Sequence, residues 1–168
     1  DDEYFYGFFN EGMPDLNYDN PELRKEVIEI GHFWLEEVGV DGFRLDAAKH
    51  IFPDERATDN HAWCIEFGNA MKKIKPDVYL VGEVWGNAEL GGPYLNGLSS
   101  MFNFDFQAGI DSILRYEKNN GFIENLVATR NTYQGIQNGY LDATFINNHD
   151  KNRLIDKFDG NMAKNELS

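Results

Sequence analysis

Apolar residues recur at helical spacing in two long stretches of the first half of the chain. The first stretch follows Asn20-Pro21, a pair typical of a helix start, and ends at Gly39. Its apolar residues lie three or four positions apart on one predicted face: Leu23, Val27, Ile30 and Trp34. The second stretch spans roughly residues 60–74 and ends before Pro76. Each stretch predicts an amphipathic helix with one buried face.

Four short segments between the helical stretches predict β-strands. The run at 78–85 is apolar almost throughout, which is typical of a parallel strand buried on both faces. Residues 1–19 and the turn at Gly91–Pro93 predict loops, and helical spacing returns at 107–118 and 122–131. This alternation of strands and helices predicts an α/β fold with a parallel sheet. The four predicted strands are residues 40–46, 78–85, 100–106 and 143–147.

Length and charge narrow the possible functions. The chain has 168 residues, whereas a complete (β/α)8 barrel takes about 250, so four strands correspond to about half a barrel. A net charge of −14 argues against a nucleic-acid partner. No apolar run is long enough to span a membrane and no signal peptide is visible, so no membrane partner is expected. The first residue is not Met, which indicates a piece of a longer protein, and the lone Cys64 allows no internal disulfide.

Three carboxylates stand near the ends of three predicted strands: Asp46, Glu83 and Asp150. In parallel α/β folds the active site lies at the carboxyl ends of the strands. Glycosidic bond cleavage needs one protonated acid and one ionised carboxylate, and a third can hold sugar hydroxyls. A single strand-end acid is usually a solvated surface group. Three of them, accompanied by Arg44 and His149, favour a glycoside hydrolase.

The surroundings of two carboxylates suggest different roles. Arg44 precedes Asp46 by two residues on the same strand face, where its charge would keep Asp46 ionised and oriented. Asp46 is therefore the candidate nucleophile. Glu83 ends an apolar strand, where burial favours the neutral form of a carboxyl group, so Glu83 is the candidate acid.

Four sequence blocks resemble those of the α-amylase superfamily of glycoside hydrolases. Gly42–His50 is similar to the fourth-strand block, Gly82–Trp85 to the fifth-strand block and Phe145–Asp150 to the seventh-strand block. Met13–Asn17 is similar to a short block at the end of the inserted loop domain. The blocks occur in the order expected for the family and cover most of the chain.

The resemblance implies a role for each matching residue. Asp46 would be the nucleophile, Glu83 the general acid and then base, and Asp150 a stabiliser of the transition state. A covalent glycosyl-enzyme and retention of the anomeric configuration would follow, with the Asp46 and Glu83 carboxyl groups about 5–5.5 Å apart. The implied substrate-binding residues are Arg44, Lys49, His50 and His149. Trp85 is added as a candidate because it directly follows the predicted strand end, where its ring could stack on a glucose ring.

The resemblance also implies a fold and its boundaries. The chain would form part of a TIM (β/α)8 barrel, about strands four to seven with their helices. Residues 1–19 would end the inserted loop domain, and residues 20–168 would form the C-terminal part of the catalytic barrel. The family's third-strand block is missing. Because a half barrel exposes unpaired strand edges, the isolated piece is expected to be inactive and prone to aggregate.

A structural calcium ion is the cofactor that the resemblance implies, through the Asp15 side chain and the His50 backbone carbonyl. The asparagine that completes this site in the family lies outside the chain. A role for Asp15 in capping the loop explains its presence equally well. The sequence predicts no other cofactor.

Several readings of the function remain open. The predicted substrates are α-glucans such as starch and maltodextrins, and the Met13–Asn17 block is intermediate between neopullulanase-like and oligo-1,6-glucosidase-like members. An α-glucosidase, a transglycosylase and a non-catalytic carbohydrate-binding relative are alternatives. A metal-dependent hydrolase using Glu83, His149 and Asp150 as ligands is a further one, although no closely spaced ligand pair supports it. A secreted or periplasmic location is favoured over a cytoplasmic one.

Overall fold

Strands and helices alternate along the chain as its hydrophobic pattern predicts. A computed structural model describes residues 5–158 and 160. Two units are distinguished: the first comprises residues 1–84 and 96–99, and the second comprises residues 85–95 and 100–168. The predicted division between a loop domain and a barrel segment after residue 19 stays a prediction. No helix among the described residues has the length and apolar character that crossing a lipid bilayer requires.

Helix α1, Pro21–Phe33, begins where the sequence predicts. The Asn20 side chain accepts a hydrogen bond from the backbone N–H of Glu22, and Pro21 occupies the first turn, where its missing N–H costs nothing. The helix continues as a wider turn over Trp34–Val38 and ends at Gly39, whose φ of 81° suits glycine. Both predicted ends of this helical stretch are confirmed.

The buried face of α1 differs from the prediction. Ile30 and Trp34 are 55% and 43% exposed, whereas Gly31 and Leu35 are buried. A Cβ atom on Gly31 would lie 2.5 Å from the Met71 sulfur, so the absence of a side chain is what lets the two segments approach. Hydropathy does not mark a glycine as a packing position. The predicted face is therefore wrong at Ile30 and Trp34, whereas Leu23 and Val27 are half-buried as predicted.

Helix α2, Ala57–Ile74, supplies much of the core of the first unit. Trp63, Phe67 and Met71 are buried along one side, as their spacing predicts. The strands of this unit, β1 (Gly42–Leu45) and β2 (Tyr79–Gly82), pair in parallel with Leu45 opposite Gly82. This register brings the carboxyl ends of both strands to the same level.

The second unit contains a second parallel strand pair. Strand β3 (Ser100–Asn103) pairs in parallel with β4 (Leu141–Thr144) so that Asn103 lies opposite Thr144. The predicted strand 100–106 ends early because the Asn103 side chain accepts a hydrogen bond from the N–H of Phe106 and caps the next helix. The elements of this unit are α3 (Ala88–Gly91), β3 (Ser100–Asn103), α4 (Phe104–Tyr116), α5 (Phe122–Ile136), β4 (Leu141–Thr144) and α6 (Leu154–Lys157).

Two further predictions in this unit are corrected. Gly91–Pro93 belongs to helical turns rather than a loop, because Asn87 caps α3 and a 3-10 turn follows it. The last strand lies at residues 141–144 instead of 143–147, so Phe145–Asn147 follow the strand. The residues from 161 onward lie outside the described part of the chain.

A close contact between two glycines gives a test of the packing in the first unit. A Cβ atom on Gly68 of α2 would lie 2.2 Å from the Gly97 carbonyl oxygen. We expect Gly68→Ala to lower the free energy of unfolding by about 2–3 kcal/mol, because backbone must move to admit the methyl group. Chemical denaturation monitored by circular dichroism measures the change.

Gly135→Ala is the matched control for this substitution. Gly135 lies in α5, its φ is not positive, and a Cβ atom added there would meet nothing within 4 Å. Alanine there should stabilise the protein by about 0.5 kcal/mol, because it favours helix over the unfolded chain. Equal effects of both substitutions would show that the contact at Gly97 does not matter.

Candidate active site

The carboxyl ends of β1 and β2 carry the first group of predicted site residues. Asp46 directly follows β1 and Glu83 directly follows β2. The backbone N–H of Glu83 donates to the Leu45 carbonyl at 2.9 Å, and the N–H of Ala48 donates to the Glu83 carbonyl at 2.9 Å. These hydrogen bonds extend the strand pair by one step and place both carboxylates at the same end.

One guanidinium group contacts both carboxylates. Arg44 Nη1 donates to Asp46 Oδ1 at 2.6 Å, and Arg44 Nη2 lies 2.8 Å from Glu83 Oε1. Burial lowers the pKa of Arg44, but the charges of Glu83 and Asp46 outweigh it and leave that pKa raised. The geometry therefore contains the predicted Arg44–Asp46 pair and a second contact, to Glu83, that the sequence analysis missed.

The two carboxylates have unlike surroundings. The Asp46 side chain is 75% exposed, whereas the Glu83 side chain is 5% exposed. Glu83 Oε2 also accepts a hydrogen bond from the backbone N–H of Ala47 at 3.3 Å, and Ala47 has a φ of 42°. Two neighbouring carboxyl groups can serve as nucleophile and acid only if their environments differ, as they do here.

A buried asparagine holds the loop that carries Lys49 and His50. Asn60 in α2 is fully buried, and its Oδ1 accepts a hydrogen bond from the Phe52 N–H at 2.8 Å. Its Nδ2 donates to the carbonyl of Lys49 at 2.7 Å and to that of Phe52 at 3.2 Å. The loop after β1 is thus fixed to α2 at Lys49 and at Phe52.

Asp15 and His50 approach each other through Phe8. Asp15 Oδ2 accepts a hydrogen bond from the Phe8 N–H at 2.7 Å, and the Phe8 ring stacks on the His50 ring with centroids 3.9 Å apart. Burial and then the charge of Lys49 lower the pKa of His50. His50 Nδ1 is 3.0 Å from Asp54 Oδ1 but lacks the alignment of a good hydrogen bond.

The described residues do not by themselves fit a calcium ion. Calcium takes six to eight oxygen ligands, and Asp15 with the His50 carbonyl supplies few of them. Over residues 5–158 and 160, no group of three or more His, Cys, Asp or Glu side chains is arranged to hold a metal. The calcium site stays a prediction, and no chemical step is assigned to it.

The remaining predicted site residues lie in the second unit. His149 Nε2 is 3.5 Å from Asp150 Oδ2, and both side chains are exposed. The Asn148 side chain accepts a hydrogen bond from the Asp150 N–H at 3.2 Å, which shapes the loop after β4. The Trp85 ring is 43% exposed. That Asp150 meets Asp46 and Glu83 around one sugar stays a prediction.

A family of known proteins matches this chain along its full length. The model described as "Alpha amylase, catalytic domain" matches residues 1–168. The chain belongs to the alpha-amylase catalytic-domain family. The predicted resemblance is therefore confirmed, and the metal-dependent hydrolase reading, which required setting this family aside, is wrong.

Relatives within the alpha-amylase family match nearly the whole chain. Alpha-amylase 3 of Dictyoglomus thermophilum is 46% identical over 165 residues, covering 98% of this chain and 32% of the relative. The maltogenic alpha-amylase of Bacillus acidopullulyticus is 29% identical and covers 88% of this chain and 24% of that protein. The chain thus spans about a third or less of the length of these relatives.

Solved structures of the alpha-amylase family confirm the fold class. The crystal structure of an alpha-amylase from H. orenii superposes with a TM-score of 0.83 at 40% identity. The superposed part covers 95% of this chain and 33% of the alpha-amylase chain. The predicted α/β fold with parallel strands is confirmed, and the chain corresponds to part of the catalytic domain.

The hydrogen bonds of Asn60 give a test of how the loop with Lys49 and His50 is held. Asn60→Ala should lower the free energy of unfolding by about 1–3 kcal/mol, because backbone groups of Lys49 and Phe52 lose their partner while buried. Hydrogen exchange at the Phe52 amide should accelerate in the same variant.

Asn69→Ala on the same helix is the matched control. Asn69 is exposed, so its removal should change stability by no more than about 0.5 kcal/mol and leave exchange at Phe52 unchanged. Unchanged exchange at Phe52 in Asn60→Ala would contradict the anchoring role.

Proposed function

We propose that the protein containing this chain is a retaining α-glycoside hydrolase that acts on α-glucans such as starch and maltodextrins. The observation that carries the proposal is the Arg44 guanidinium, which contacts an exposed carboxylate and a buried one at the ends of adjacent strands. The names of the relatives, which are amylases, support the class of substrate.

The proposed chemistry uses the two carboxylates in turn. An Asp46 oxygen attacks the anomeric carbon while the bond to the leaving oxygen breaks, and Glu83 gives that oxygen its proton. Glu83 then removes a proton from water, which attacks the same carbon and releases Asp46. The contact with Arg44 suits the ionised Glu83 of this second step and orients Asp46 for the first.

The other predicted residues are assigned to substrate binding in this proposal. Asp150 and His149 bind hydroxyl groups of the sugar whose bond is cleaved. Lys49 and His50 line the acceptor side, and the exposed ring of Trp85 offers an apolar face to a pyranose. Support for these roles comes from their positions in the matching blocks and from the exposure of Trp85, His149 and Asp150.

The relatives differ in the α-glucans that their names indicate, which bears on the substrate preference of this protein. A cyclomaltodextrinase and a neopullulanase are each 30% identical to the chain, which suits the intermediate character of Met13–Asn17. An α-glucosidase or transglycosylase of this family remains the second candidate, and end-product analysis with maltoheptaose separates the two. A location outside the cytoplasm stays a prediction; one relative is named as intracellular.

Removal of either carboxylate tests the assigned roles in the complete protein. Asp46→Asn should lower kcat by about 10⁴-fold, because no nucleophile remains, while glucan binding persists. Glu83→Gln should lower kcat on maltodextrins by about 10²–10⁴-fold. It should retain some activity on a maltosyl fluoride, whose leaving group needs no proton, with hydrolysis of the glycosyl-enzyme then limiting turnover because its general base is missing. Steady-state kinetics and calorimetric binding measure both.

Asp41→Asn is the control for these substitutions. Asp41 also lies beside β1, but it pairs with Lys75 and its side chain is 97% exposed. Its kcat should equal that of the parent protein. Near-normal turnover by Asp46→Asn, or inactivity of the parent on every α-glucan, would reject the proposed function. Binding without cleavage by the parent would favour a carbohydrate-binding relative.

The calcium prediction has its own measurement. Chelation of the complete protein with EDTA should lower its Tm, and added calcium should restore it, since an ion that binds only the folded state stabilises that state. Asp15→Asn should reduce the response to calcium. An unchanged Tm after chelation would mean that Asp15 serves only the loop contact with Phe8.

A further inference from the structure

A lysine beside the predicted stabilising carboxylate links two segments of the second unit. Lys151 directly follows Asp150 in the chain. Its Nζ donates a hydrogen bond to Gln107 Oε1 at 2.9 Å and lies 5.0 Å from the centroid of the Trp85 ring. The ammonium group therefore contacts α4 and the last residue of the Gly82–Trp85 block.

The Lys151 ammonium group is held by contacts with the protein and not by water alone. Gln107 is 3% exposed, so its carbonyl oxygen is a stationary acceptor within the unit. Lys151 itself is half-buried. An ammonium group leaves water only when other contacts compensate, and here an amide oxygen and an aromatic face do so.

Trp85 is restrained and remains accessible at the same time. Phe104 packs against the indole with centroids 5.0 Å apart, and Phe104 is in turn held edge-on by Phe145 at 5.1 Å. Lys151 adds a cation over the ring. With 43% of Trp85 still exposed, the packed indole presents an apolar surface that a ligand can reach.

We propose that Lys151 is a positioning residue that fixes the indole of Trp85 as the surface on which a glucose ring of the substrate stacks. The inference rests on the proposed function, because it names how that substrate is held. Lys151 acts through Trp85 and not through its neighbour Asp150. This choice has a kinetic signature, since losing a stacking surface weakens binding, whereas disturbing a transition-state stabiliser lowers kcat.

Substitutions that separate charge from stem length test the inference in the complete protein. Lys151→Met keeps the apolar stem and removes the cation and the donor; it should raise KM for maltoheptaose about fivefold and leave kcat within about twofold. Lys151→Arg keeps both features and should stay within about twofold of the parent. Lys118→Met, at an exposed site, should change neither constant.

A double-mutant cycle with Trp85→Ala identifies the residue through which Lys151 acts. Trp85→Ala should raise KM about tenfold, and the double variant Trp85→Ala/Lys151→Met should be no weaker than Trp85→Ala alone. Additive effects, or a fall in kcat at constant KM in Lys151→Met, would overturn the inference while leaving the proposed function intact. Inactivity of the parent protein would reject the proposed function instead.

A measurement without substrate makes the test independent of catalysis. In protein labelled with fluorotryptophan, the ¹⁹F resonance that disappears in Trp85→Phe reports on the indole environment. This resonance should shift or broaden in Lys151→Met and return to its original position in Lys151→Arg. An unmoved resonance in Lys151→Met would show that Lys151 does not restrain Trp85, whatever the kinetics.

Discussion

The Arg44 guanidinium, shared between Asp46 and Glu83, is the interaction on which the candidate site depends. A carboxylate as buried as that of Glu83 is stable only with a charged or hydrogen-bonding partner. Arg44 can be that partner only because β1 and β2 are parallel and in a register that ends them together. Phe67 of α2 packs edge-on against Phe43 of β1, so the core of the first unit supports the strand that carries Arg44.

Two cationic side chains, one arginine and one lysine, have a similar place in the two units. The chain carries 15 Lys and Arg against 29 Asp and Glu, so cations are scarce. Among the described residues most acidic side chains are exposed. Arg44 lies two residues before Asp46, and Lys151 lies one residue after Asp150. Each is anchored on a second element, at Glu83 or at Gln107. In both units a cation thus ties a predicted functional loop to a neighbouring segment.

The sequence predicted the features that depend on near neighbours. Asn20-Pro21 started α1, and the alternation in β1 put Arg44 and Asp46 on one face, where they form an ion pair. Features that depend on distant partners were missed. The Arg44–Glu83 contact joins two strands, and the role of Asn60 depends on the loop at Lys49 and Phe52. No periodicity in a single segment encodes either contact.

The error at the end of the third strand has a physical cause. Hydropathy extended the third strand through Phe104–Phe106, but the Asn103 side chain caps α4 and turns the backbone away. Once the chain leaves the strand there, Phe104 lies against Trp85 and Gln107 lies within the unit as the acceptor for Lys151. The capping hydrogen bond thus coincides with the point where the chain turns Phe104 toward Trp85. Polar residues at strand ends carry the positional information that apolar patterns lack, which is why the site was easier to recognise from its motifs than from its periodicity.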